Sequence, residues 1–160
     1  MDPIRDFEHS HARLTSLALE IGRQLRGGGG HVPGDRKQEL VAHVEALRDD
    51  LLQHFADEED GLFPFLRANV PAKVEVVERL EADHDTICGC LVRMAHLAAR
   101  DGAGLGDHSL VSLYERFEQA YAGHSRTEAE LFQELGDLLA ERQRAELASL
   151  LHGLGDRRRT

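Results

Sequence analysis

Two stretches of this 160-residue chain repeat one chemical pattern, His54-x-x-x-Glu58 and His124-x-x-x-Glu128. Residues four apart on a helix share a face, so each pair aims an imidazole and a carboxylate in one direction. Two further histidines, His11 and His84, each interrupt an otherwise apolar stripe. His54 and His124 are 70 positions apart, as are Glu58 and Glu128, and His11 and His84 are 73 apart. The chain therefore reads as two hairpins of one design, each giving a single histidine and then a His-Glu pair.

Burying a carboxylate without a partner is costly, so buried carboxylates are paired, protonated or metal-bound. Six polar groups at core slots point to a shared partner. Imidazole and carboxylate donors without thiolate suit iron, manganese or zinc better than copper(I) or an iron–sulfur cluster. Four histidines and two glutamates exceed the needs of one tetrahedral zinc ion, whereas two octahedral ions with bridging carboxylates would use all six and keep vacant positions.

The elements that must position these groups are helices. Gly-rich breaks at 27–34 and 101–106, with a softer one at Asn69-Val70-Pro71, leave four long segments. Asp2-Pro3, Gly34-Asp35 and Asp107 offer N-terminal caps. Apolar residues recur three and four apart: Ile4, Phe7, Leu14, Ala18, Ile21 and Leu25 in the first, and Leu40, Val44, Leu47, Leu51, Leu62 and Phe65 in the second. The third carries Val77, Leu80, Ile87, Leu91, Met94 and Ala98, and the fourth Leu110, Leu113, Phe117, Ala120 or Tyr121, Leu131, Leu135 and Leu138. No stretch alternates as a strand does. The expected fold is all-α, an antiparallel up-down-up-down four-helix bundle over residues 1–140. A short fifth helix and a basic tail, residues 141–160, would pack on it or trail from it. Counting back from the loops at 1.5 Å per residue puts His11 and His54 roughly 24 and 30 Å away, and His84 and His124 both roughly 26 Å away. All six groups then fall in one slab of the bundle interior.

Composition narrows the partners. A net charge of −10 repels phosphate backbones and anionic lipid, so neither nucleic acid nor a membrane is expected as a partner. The run Arg157 to Arg159 reads as a solvated tail. No signal peptide and no apolar stretch of membrane-spanning length is seen, and a cytoplasmic location is expected. Cys88 and Cys90 would point about 200° apart on a helix, which excludes a bridge between them.

The ordered set of His11, His54-Phe55-Ala56-Asp57-Glu58-Glu59 running into Leu62-Phe63-Pro64, Glu81-x-x-His84, and His124-x-x-x-Glu128 running into Leu131-Phe132 resembles the hemerythrin-like HHE cation-binding family. The resemblance spans residues 3 to 138 or so. It implies a bundle holding two iron ions, oxo- or hydroxo-bridged, that bind O2, NO or a peroxide. The six residues would be the metal ligands, with manganese or zinc as substitutes for iron. In two places the chain departs from the oxygen-carrying members: Cys88 stands where they have a further histidine, and Glu128 follows His124 by four positions where they have an aspartate five on. Glu8, Glu81, Cys88 and Tyr121 are then candidates for an extra ligand or for supporting hydrogen bonds.

Three functions follow from that resemblance: a small-ligand binding protein for sensing, storage or detoxification; a di-iron enzyme of peroxidase, catalase or NO-processing type; or an iron- or oxygen-responsive module acting through a protein partner. The first is favoured, since no element for an organic substrate is evident. His9, His31, His43, His96, His108 and His152 are read as surface or loop residues, and Glu59 as pointing away from the site.

Overall fold

The computed structural model describes residues 3–27, 34–100 and 108–158. Every long element among them is a helix: α1 (Pro3–Arg26), α2 (Gly34–Asp57), α3 (Phe63–Asn69), α4 (Val74–Ala99), α5 (His108–Leu138) and α6 (Glu141–Arg158). A π-helical turn, Glu58–Leu62, joins α2 to α3, and a 3₁₀ turn, Pro71–Lys73, leads into α4. Proline opens α1, where its missing N–H costs no helical bond. The caps expected from Asp2 and Asp107 lie outside the described residues, as do most of both Gly-rich breaks. The break before Pro71 falls where expected, with Val70 leaving the helical region at φ −134°.

Four long helices close a ring, α1 packing on α2 and α5 while α4 packs on the same two. In each neighbouring pair the partners' residue numbers run in opposite senses. His11 meets His54 and Gln24 meets His43 across α1 and α2. Lys37 meets the Arg100 carbonyl while Phe55 meets His84 across α2 and α4. Lys73 meets Glu134 while His84 meets His124 across α4 and α5.

The apolar stripes become two clusters rather than one core. Leu14, Ile21, Leu51, Ile87 and Phe117 belong to the first, while Phe7, Leu62, Leu80 and Leu131 belong to the second. On every long helix the chemically active residue lies between a member of one cluster and a member of the other. His11 falls between Phe7 and Leu14, His54 and Glu58 between Leu51 and Leu62, His84 between Leu80 and Ile87, and His124 and Glu128 between Tyr121 and Leu131. A polar slab thus crosses the bundle between two apolar halves.

Tyr114 ties α1 to α5 by donating a hydrogen bond to the Ala18 carbonyl at 2.9 Å. Its ring fits because residue 22 has no side chain: a Cβ there would lie 2.3 Å from the tyrosine hydroxyl. At the end of α5 the stripe shifts by one residue from its expected course. Leu138 is 52% exposed and Leu139 is buried instead, because the helix ends and the chain turns towards α6. α6 packs on α1 and on the π turn, with Leu147 fully buried. Among the described residues no helix is long and apolar enough to cross a membrane.

Candidate metal centre

The π turn decides where Glu58 points. An α-helix running through Pro64 would bring its ring against the carbonyl four residues back, that of Asp60, and would lack the N–H to bond it. Widening the turn to i→i+5 relieves that conflict, and the Phe63 N–H accordingly reaches the Glu58 carbonyl. The residues after the turn are rephased so that Gly61, Leu62, Phe63, Phe65 and Leu66 are all buried. Glu58 itself ends fully buried in the slab.

There the structure brings six side chains together in two overlapping groups. His11, His54, Glu58 and Glu128 form one, and Glu58, His84 and His124 form the other, with donor atoms in each group within 4.8 Å of one another. Glu58 belongs to both. One of its oxygens lies 2.9 Å from His54 Nε2 and the other 3.0 Å from His84 Nε2. Glu128 Oε2 contacts His11 Nε2 and lies 3.4 Å from His124 Nε2. His11 and His54 approach at 2.8 Å through their Nε2 atoms.

Most of these donor atoms are buried without an aligned hydrogen bond. Both oxygens of Glu58 and of Glu128, and the Nε2 atoms of His84 and His124, have no aligned partner. Buried polar groups are almost always paired, so orphans concentrated in one slab mark a place built for something that accepts lone pairs. A cation meets that description, and the set of nitrogen and carboxylate donors fits one of the iron, manganese or zinc class.

Electrostatics support the same reading. Burial, with neighbouring histidines, lowers the pKa of His54 and of His84 from 6.5 to about 3, so both rings are neutral donors at physiological pH. Burial also lifts Glu58 well above the ordinary carboxylate range, with Glu128 close by. Burial acts on Glu128 in the same sense, but the close approach of Glu58, His11 and His124 outweighs it and holds Glu128 below that range. Of the two carboxyls, Glu58 is therefore the one that holds a proton more readily.

Around the slab lies an aromatic jacket. Phe55 stacks on His84 at 3.6 Å between ring centroids, Phe63 stacks on the same ring at 5.5 Å, and Phe7 meets His54 edge-on at 5.6 Å. Tyr121, a candidate for reaching the site, is buried with its ring stacked 6.3 Å from that of His11.

Outside the donors, the hydrogen-bonded support differs from expectation. Glu59, read from sequence as turned away, accepts a hydrogen bond from His84 Nδ1 at 2.6 Å. Such a carboxylate fixes the tautomer that leaves Nε2 free for a cation. The π turn accounts for it, since the widened register carries the residue after Glu58 round to α4. Asp83, not singled out in the sequence, stands 3.9 Å from His124 Nδ1. Glu81 pairs with Arg67 instead of the centre, Glu8 is exposed, and Cys88 is half-buried and belongs to neither group. His9, His96, His108 and His152 are exposed, and His43 bonds Gln24 at 3.2 Å. His31 lies outside the described residues.

Over residues 2–136 the sequence matches the hemerythrin HHE cation binding domain. Among curated proteins nothing matches the chain. The matched span holds all six donors and stops short of α6.

Proposed function

Because the chain belongs to the hemerythrin HHE cation-binding family, we propose that it is a non-haem di-iron protein that takes up O2, NO or a peroxide for sensing, storage or detoxification. Four helices alternating in direction would frame the centre, as the opposed residue pairings support. One observation carries the proposal: Glu58 belongs to both donor groups, which is what a carboxylate shared by two ions requires. His11, His54 and Glu128 would complete one ion's protein donors, and His84 and His124 the other's. Bound iron would supply the redox couple and the open positions at which a small ligand is held.

The chain's own residues prepare that place. His54 and His84 stay unprotonated far below neutral pH, so no proton need be removed from either before a cation enters. Glu58, whose carboxyl burial holds above the ordinary range, would give up its proton as a cation enters, so uptake should weaken as the pH falls. Glu59 keeps the His84 ring oriented, and the phenyl rings of Phe7, Phe55 and Phe63 exclude bulk water.

The second group supports a further reading, turnover of peroxide or NO. It contains three residues against four in the first, and Cys88 does not complete it. Iron-loaded protein mixed with hydrogen peroxide in a stopped-flow instrument separates the two readings. One equivalent consumed per site favours binding, and many turnovers favour an enzyme. Absence of near-ultraviolet ligand-to-iron charge-transfer bands after reconstitution would sink both.

A further inference from the structure

The chain has two tyrosines and no tryptophan, and both tyrosines lie on α5. Tyr114, Phe117 and Tyr121 follow one another at spacings of three and four, which puts their rings on one face of that helix. All three are buried. At one end of the file the Tyr121 ring is stacked 6.3 Å from that of His11, a member of the first donor group. Further along, Phe117 stacks on Tyr121 at 5.6 Å and meets Tyr114 at 6.2 Å between centroids. Each step is within the range of aromatic contact, about 4.5–7 Å. A continuous file of rings thus leads from the donors to Tyr114.

Its far end reaches the surface. The Arg26 guanidinium lies 5.6 Å from the centroid of the Tyr114 ring and pairs with Glu118 at 3.4 Å. The Arg26 side chain is exposed and that of Glu118 partly so. Glu118 Oε1 also lies 3.1 Å from the Tyr114 hydroxyl oxygen.

The two tyrosines differ in what can take their proton. Loss of an electron makes a phenol strongly acidic, and one that keeps its proton becomes a buried cation, which is costly. The Tyr114 hydroxyl hydrogen, donated to the Ala18 carbonyl, can rotate to the Glu118 carboxylate without moving the ring. Arg26 opposes positive charge on the same ring, so an electron leaves Tyr114 together with this proton. The Tyr121 hydroxyl is buried with no aligned partner, and Thr15 and Ser125 beside it carry hydroxyls, which are poor bases. An oxidising equivalent therefore passes Tyr121 and settles on the more distant tyrosine.

We propose that Tyr114 donates electrons to the centre through the rings of Phe117 and Tyr121, and that a small phenolic reductant restores it at the Arg26 and Glu118 surface without entering the bundle. This rests on the peroxide-turnover reading of the same centre. Hydrogen peroxide takes two electrons and two protons to become two waters. One electron comes from ferrous iron as it becomes ferric, the other from Tyr114 as it becomes a neutral radical, and the two protons from solvent. The Tyr114 proton goes to Glu118. A hydroquinone then gives one electron to the radical while Glu118 returns the proton to the phenol oxygen, and the oxidised hydroquinone releases a proton of its own to solvent.

The full chain, loaded with ferrous iron and mixed with hydrogen peroxide, should show a tyrosyl radical in freeze-quenched electron paramagnetic resonance spectra. Tyr114→Phe should reduce the signal at least tenfold and Glu118→Gln several-fold, whereas Tyr121→Phe, which keeps the ring, should leave most of it. Hydroquinone should shorten the life of the wild-type signal several-fold. The same variants, metal-free and oxidised by azide radicals in pulse radiolysis, should fall in the same order. A signal kept in Tyr114→Phe and lost in Tyr121→Phe would overturn the proposal, as would peroxide consumption by the iron-loaded chain without a tyrosyl radical, or a signal indifferent to hydroquinone. Failure of the di-iron reading would appear separately, as a chain that takes up no iron while metal-free oxidation still places the radical on Tyr114.

Discussion

Replacing Glu58 with glutamine should push stability and metal uptake in opposite directions. In the metal-free chain Glu58 is fully buried and neither of its oxygens receives an aligned hydrogen bond. Its pKa in the folded chain lies well above 4.5, the cause being burial first and Glu128 second. A group raised in this way contributes stability below about pH 4.5 that is lost as the pH rises through the folded value. Glutamine mimics the protonated carboxyl: it is neutral, nearly isosteric, and its amide can donate to Glu128. A buried acceptor without partners costs ~1–3 kcal/mol, and more when charged. The Glu58→Gln chain should thus be more stable than wild type by about 1–3 kcal/mol at pH 8 when metal-free, and the gain should vanish near pH 4. At roughly 2–4 °C per kcal/mol for a chain of this size, calorimetry on chelator-treated protein should read a rise of several degrees. The same variant, having lost the carboxylate common to both groups, should take up at most one ion per chain. Lower stability than wild type at pH 8, or two ions retained, would refute the reasoning.

Acid should unfold the metal-free protein through its histidines. His54 and His84 fall from 6.5 to about 3 on folding, so each contributes stability that is complete above about pH 6.5 and lost as the pH falls towards 3. Each shift is worth up to about 5 kcal/mol, and the two together less than twice that because the rings repel one another. Urea titrations across this window should show the loss, and His84→Asn should flatten part of it; an unchanged slope would contradict the assignment. Glu59→Gln should weaken cation affinity about 10–100-fold by loosening the His84 ring, whereas Glu81→Gln, whose partner is Arg67, should leave affinity unchanged in the same titration. Gly22→Ala should destabilise by about 1–3 kcal/mol through collision with Tyr114, with partial recovery in Tyr114→Phe, as thermal melts of the single and double variants would show.

Much of the centre was legible because a helix repeats its face every three to four residues. A polar residue in an apolar stripe is therefore visible without coordinates. His11, His54, His84 and His124 each interrupt such a stripe, and the repeated His-x-x-x-Glu spacing supplied the carboxylates. What periodicity could not show is a change of period. The π turn shifts the register after Asp57, which explains why Glu59 was read as turned away and why Phe63 and Leu66 were not counted in the core. The signal was present in Gly61 and Pro64, residues that suit an interrupted helix rather than a continuous one. Support that crosses between helices was equally hidden, because Glu59 reaches His84 from 25 positions away. Tyr114 escaped notice as a core residue because its place depends on the absence of a side chain at Gly22, on another helix. α6 was expected either to pack on the bundle or to trail from it, and its seat on the π turn, where a Cβ at residue 61 would lie 2.6 Å from Leu151 Cδ2, could not be read from its own weakly patterned sequence.

The most direct test of a two-ion centre is an anaerobic titration of the metal-free chain with ferrous iron, following bound metal after removal of excess. Saturation at two iron ions per chain, with loss of most binding in His54→Ala and in His124→Ala but not in His9→Ala, is the expected result. Saturation at one ion, or equal loss from His9→Ala, would contradict it.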